Sequence, residues 1–235
     1  MKSYYKFYRE TVYPFQNGVL KLVKNLNTPF YLTDGTALSR HYFNHRYSDD
    51  LDMFVNQESS YSELVTDIFK MLEKTSGSQS FRIDYNRVQR SKDYTQLFLL
   101  HHAGFNLKLD FINDIAQHFG GFEENALLGK IDSWRNILSN KITALLRLES
   151  KDFVDVWIIA RQREFSWKEL FTEAKQKDAG IDPIVIFELI KSFPEEALDL
   201  IKWVKPININ LFKKELNVIA DDIFKGGKNS LFYQK

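Results

Sequence analysis

Apolar positions recur at helical spacing through residues 3–26, and the pattern stops near Asn25, with Pro29 just beyond. That reads as one amphipathic helix with a defined end. A short strand over Phe30–Thr33 follows, then a turn at Asp34-Gly35 and a helix from about Thr36 to Phe43. Leu51–Val55 alternates like a strand, and Tyr61–Lys74 returns to the helical period. Phe81–Val88, Thr95–His101 and Phe105–Ile112 read as β-segments, with Ala103-Gly104 as a hairpin turn between the last two. After roughly residue 125 the pattern is helical, most clearly over Asn140–Arg161, Ser166–Lys177, Pro183–Ser192 and Ile209–Phe224. The expectation is an α/β (α+β) domain with a mixed or antiparallel sheet over residues 1–130. A helical domain over residues 131–235 would close a cleft against it.

Composition narrows the class. Hydrophobic residues make up 44% of the 235 and aromatics 15%, enough to bury a sizeable core. The 32 basic and 31 acidic side chains give no overall sign of a polyanion partner. Through Ser48, however, seven basic residues face only Glu10 and Asp34, an excess that favours a phosphate-rich ligand or a solvated helix face. Cysteine is absent, which removes disulfide frameworks and thiolate metal sites. No segment resembles a signal peptide or a membrane span, so a soluble cytoplasmic protein without a membrane partner is expected.

Candidate chemistry lies in two stretches, Tyr31-Leu-Thr-Asp-Gly-Thr-Ala-Leu-Ser-Arg40 and Arg46-Tyr-Ser-Asp-Asp-Leu-Asp-Met-Phe54. In a strand, Asp50 and Asp52 share a face, roughly 7 Å apart at Cα. Leu51 and Met53 then point into the core, and Asp49 is out of phase with the pair. Two carboxylates on one face repel and resist desolvation unless a cation lies between them. Asp110 in Leu107-Lys-Leu-Asp-Phe-Ile112 shares a face with Lys108 and would complete a three-carboxylate set if its strand adjoins the first. Such a set suits Mg²⁺ or Mn²⁺ and can hold two ions about 4 Å apart for phosphoryl chemistry. A glycine turn opening a helix upstream offers backbone N–H groups to phosphates. His41 and His45 have helical i, i+4 spacing, but no third ligand follows. Neither a P-loop nor a Gly-x-Ser-x-Gly elbow occurs.

These motifs resemble the nucleotidyltransferase superfamily and, more narrowly, its AbiEii/AbiGii toxin-type family. The resemblance rests on Asp34-Gly-Thr-Ala-Leu-Ser-Arg40 and Arg46-Tyr-Ser-Asp-Asp-Leu-Asp52, and extends to Asn140-Lys-Ile-Thr-Ala-Leu-Leu-Arg147 and Lys151-Asp-Phe-Val-Asp155. It implies transfer of a nucleoside monophosphate from a nucleoside triphosphate to an acceptor hydroxyl. Asp50, Asp52 and Asp110 would be the catalytic metal ligands, and Gly35, Thr36, Ser48 and Lys141 phosphate contacts, with Asp152 in the cleft. It further implies a toxin with a cognate antitoxin, and RNA as one candidate acceptor. The family's first motif glycine is Asp34 here, which could repel phosphate, add a metal contact or point away. On a single continuous helix from Asn140, Lys141, Asp152 and Asp155 would fall within an arc of about 60° at the rim of an apolar stripe. Two other readings remain: a non-catalytic nucleotide- or partner-binding module of the same fold, and a small-molecule transferase of the antibiotic-modifying type.

Overall fold

The computed structural model describes residues 4–76 and 81–233, and the chain divides into two compact units. One comprises Met1–His41, Tyr47–Ile115 and Gly121–Asp132; the other comprises Tyr42–Arg46, Ala116–Gly120 and Ser133–Lys235.

The first unit is built on an eight-stranded mixed sheet. Its strands are β1 (Tyr31–Thr33), β2 (Leu51–Asn56), β3 (Phe81–Ile83), β4 (Gln89–Arg90), β5 (Tyr94–His101), β6 (Asn106–Asp114), β7 (Glu123–Asn125) and β8 (Gly129–Ile131). The order is β3-β5-β6-β2-β1-β8-β7, with β4 also paired to β5. β2 runs parallel to β6 and β1 parallel to β8, while the remaining pairs are antiparallel. The β5–β6 hairpin closes at Gly104, whose positive φ of 82° is one a side chain would resist.

Alternation sorts the two faces. Leu51, Met53 and Val55 of β2, Leu107, Leu109 and Phe111 of β6, and Leu97 and Leu99 of β5 are buried. So are Phe15, Val19, Leu20 and Val23 of α1 (residues 5–25) and Val65, Ile68 and Leu72 of α3 (Tyr61–Ser76). The opposite face of the same strands carries Asp52, Lys108, Asp110, Gln96 and Phe98, and all but Asp110 are half-buried. Helix α1 contains a π-helical turn at Tyr8–Val12, and α2 begins as an α-turn at Asp34–Ala37 and continues as a π-helical turn over Leu38–Phe43.

The second unit is helical: α4 (Trp134–Ala144), α5 (Ser150–Gln162), α6 (Trp167–Lys177), α7 (Pro183–Lys191) and α8 (Ile209–Lys225). Side-chain caps start four of these. Ser133, Ser166, Asp182 and Asn208 each accept a backbone N–H from the first turn, satisfying a donor the helix leaves open. Gly226, at φ 61°, terminates α8. Its core includes Phe153, Trp157, Trp167 and Phe212.

Three expectations change. The helix expected over Asn140–Arg161 is two helices, separated by a 3-10 turn at Leu145–Arg147 and by Leu148 in the left-handed region at φ 59°. Apolar spacing continues through the break, so periodicity does not reveal it, whereas Asp152 sits in the first turn of a new helix, where its charge is favourable. The strand expected over Phe81–Val88 ends at Ile83 and gives way to a 3-10 turn at Tyr85–Arg87. β7 and β8 lie near the boundary of the two expected domains, where no strand was expected; three-residue strands carry too little alternation to register.

Candidate active site

Of the acidic residues expected to act together, Asp52 and Asp110 are neighbours on the polar face of the sheet. β2 and β6 are adjacent and parallel, and their register places Asp52 directly beside Asp110. Asp52 is also opposite Thr33 of β1, and Asp110 opposite Gln96 of β5, so a polar row crosses four strands. Asp50 precedes β2 by one residue and is partly exposed.

Lys108 brings a cation to this edge. Lys108 Nζ lies 2.8 Å from Asp110 and 3.8 Å from Asp50. Burial lowers the Lys108 pKa, but the bond to Asp110 and the charges of Asp110, Asp50 and Asp52 outweigh it and raise the group above its usual value. Asp110 also accepts from Gln96 Nε2 at 2.9 Å. The Asp52 carboxylate has no ion pair or hydrogen bond among the described residues. Its burial, then the charges of Asp34, Asp110 and Asp50, push its pKa up to about 8. The edge therefore concentrates more negative charge than Lys108 neutralises.

Asp34 occupies the left-handed region at φ 54°, a conformation glycine adopts without penalty and Asp tolerates better than most. After burial, its charge heads those acting on Asp52, so Asp34 adds to the acidic edge. Gly35 is buried, and Thr36 donates its hydroxyl to the Asp50 carbonyl, so that hydroxyl is committed to the loop. Ser48 is largely buried, and its hydroxyl has no partner among the described residues.

The other expected residues lie in the helical unit, in a closed network. Lys141 is fully buried, with Nζ 2.6 Å from Asp152 and 3.0 Å from Asp155. Asp155 also takes a fork of bonds from Arg46 at 2.7 Å each and lies 2.8 Å from His45 Nε2. Burial alone would raise the Asp155 pKa, but Arg46, Lys141 and His45 hold it well below the usual carboxylate range. This corrects the picture of Lys141 and Asp152 at the rim of one helix. They come from two helices, and a phosphate contact from Lys141 would require breaking two desolvated ion pairs. The histidines part company too, His41 pairing with Glu123 and His45 with Asp155.

Sequence reading passed over Lys108 as a participant, although its two-residue spacing from Asp110 on one strand face was visible. Gln96 required the β5–β6 register, which no local pattern supplies.

A family model described as the nucleotidyl transferase AbiEii toxin of type IV toxin–antitoxin systems matches residues 23–222. The chain belongs to the AbiEii nucleotidyltransferase toxin family. Among solved structures, this AbiEii-family chain is similar to a candidate nucleotidyltransferase from H. pylori, at 18% identity and a TM-score of 0.58, over 94% of this chain and 96% of that one. It is also similar to JHP933 from Helicobacter pylori, at 18% identity and a TM-score of 0.54, over 93% of each chain. At such identities the likeness establishes a shared nucleotidyltransferase fold. No curated protein matches the sequence. Among the described residues of this AbiEii-family member, no helix is long and apolar enough to cross a membrane.

Proposed function

We propose that this nucleotidyltransferase moves a nucleoside monophosphate from a nucleoside triphosphate to an acceptor hydroxyl, using Asp50, Asp52 and Asp110 to bind divalent cation. The observation that carries the reading is Asp52 beside Asp110 in register, unpaired and with its pKa driven up to about 8. A carboxylate so placed is costly unless a cation joins it.

The donor set fits Mg²⁺ or Mn²⁺ in its chemistry, since all the oxygens come from carboxylates. Among the described residues no three such side chains are yet drawn close enough to hold an ion, and Lys108 stands between Asp110 and Asp50. Loading therefore requires the Lys108 ammonium to swing away from the carboxylates. Bound there, the cation would grip triphosphate oxygens and lower the pKa of the attacking hydroxyl. Lys108, once displaced, remains at hand as a positive charge for the phosphates. The unpartnered Ser48 hydroxyl and the backbone around Gly35 are the remaining phosphate-binding groups. The acceptor oxygen forms a bond to the α-phosphorus, the bond to the β-phosphate oxygen breaks, and pyrophosphate leaves with the electron pair. The acceptor proton passes to solvent.

The family description supports a toxin with a cognate antitoxin, and RNA is the first acceptor to test. The test incubates purified protein and an Asp50→Ala control with Mg²⁺ or Mn²⁺, total RNA and each α-labelled nucleoside triphosphate in turn. Label on RNA with wild type alone is the expected result. Pyrophosphate release without labelled RNA would move the acceptor to a protein or small molecule. Nucleotide binding without pyrophosphate release would overturn catalysis in favour of a binding module, with Lys108 as a resident counter-ion.

A further inference from the structure

The loop that delivers Asp50 has three successive backbone carbonyls, at Ser48, Asp49 and Asp50, each held by a side chain. Gln16 of α1, fully buried, donates Nε2 to the Ser48 carbonyl at 3.1 Å and to the Asp49 carbonyl at 3.0 Å. Thr36 takes the Asp50 carbonyl. Gln16 is itself oriented, because its Oε1 accepts from Arg40 at 3.1 Å. Arg40 is anchored in turn by Asn17 Oδ1 at 2.5 Å and lies over the Tyr13 ring at 4.4 Å.

The Asp49 side chain is held from the same helix. Tyr8, with no exposed surface, donates its hydroxyl to Asp49 Oδ1, and its ring stacks on Tyr47 at 4.2 Å between centroids and 22° between planes. Tyr8 opens the π-helical turn of α1. A π turn widens the helix by one residue and changes the direction of every side chain before it relative to those after it. Tyr8 and Gln16 can thereby address the same short loop from two turns of one helix.

We infer that Tyr8 and Gln16 are positioning residues: α1 clamps the Tyr47–Asp50 loop so that Asp50 is presented beside Asp52 in a fixed orientation. This rests on the proposed metal-binding role of Asp50, but the clamp itself is a property of the free protein. Neither residue touches the reacting groups. They act through the Ser48 and Asp49 carbonyls and the Asp49 side chain, which is out of phase with the carboxylate pair.

The test compares Tyr8→Phe with Tyr31→Phe. The second removes a hydroxyl bond to Asn56 at the far end of β2, 2.8 Å in length, and leaves the loop untouched. Gln16→Met is the second clamp variant. Amide hydrogen exchange over residues 47–51 of the free protein is read first, then turnover against Mn²⁺ and nucleotide concentration. Tyr8→Phe should speed exchange in the loop by about tenfold or more, while exchange in β5 and β6 is unchanged. It should raise the Mn²⁺ concentration for half-maximal turnover and lower kcat, together by about 10–100-fold, with KM for nucleotide within about twofold. Tyr31→Phe should move none of these. Unchanged loop exchange in both clamp variants, or equal effects from Tyr31→Phe, overturns the inference. Faster loop exchange in a protein whose wild type transfers nothing would uphold the clamp and defeat the proposed function instead.

Discussion

The two acidic clusters of this protein are opposites. At the sheet, Lys108 meets Asp110 and Asp50, while Asp52 carries no ion pair among the described residues and feels the charges of Asp34, Asp110 and Asp50. In the helical unit, Asp152 and Asp155 face Lys141 and Arg46, with Arg147 reaching Asp152 from the surface. The second cluster gives both carboxylates buried cationic partners, which is how a buried network satisfies its charges at home. The first keeps a surplus of negative charge at a partly open edge, the condition under which a cation from solution gains most. Carboxylates of similar sequence appearance are thus separated by whether the fold supplies their counter-charge.

The sharpest way to break this contrast is to neutralise one carboxylate in each cluster. Asp52→Asn should reduce nucleotidyl transfer by roughly 10³-fold or more while the metal-free protein keeps or gains stability. Turnover and a melting curve on the same preparation decide it, and an active Asp52→Asn enzyme would remove Asp52 from the mechanism. Asp155→Ala should do the reverse, costing about 3–5 kcal/mol of stability because Arg46 and Lys141 are left buried without their partner. A denaturant titration reads that loss. A variant as stable as wild type would mean that the network is not closed.

The clusters should also leave opposite marks on the pH dependence of stability. Asp52 has its pKa raised from 3.8 to about 8 in the folded, metal-free protein. Its stabilising contribution is complete below pH 3.8 and is lost as pH rises through about 8. Metal-free protein should therefore weaken as pH climbs across that window, and Asp52→Asn should remove this slope. The smallest effect belongs to His45. Burial holds it below 6.5, against the pull of Asp155. Its contribution is present above 6.5 and is lost as pH falls through the lower folded value. His45→Gln should flatten only the acid limb of the melting-temperature profile. A change confined to the alkaline limb would show that its charge state has been misjudged.

Much of this was legible along the chain. Alternation alone placed Leu51 and Met53 inward and Asp50 and Asp52 outward, because a strand's two-residue period ties side-chain direction to position. The same logic set Lys108 and Asp110 on one face. Motif spacing around Asp34–Arg40 and Arg46–Asp52 points to the AbiEii family from the sequence alone. Helical periodicity found α1, α3 and the helices from Trp167 onward, since each has a continuous apolar stripe.

Tertiary structure decided the rest. Only strand order and register put Asp52 beside Asp110 and Gln96, because pairing partners far apart in sequence are selected by the packing of whole elements. Only the break at Leu148 folds α4 and α5 so that Lys141, expected as a phosphate contact, meets Asp152 and Asp155 in a buried network. The clamp of Tyr8 and Gln16 on the Asp50 loop likewise joins residues more than thirty positions apart. Sequence fixes which side chains a local element can present; whether a charge meets a counter-charge or solvent depends on distant segments, and that determines its chemistry.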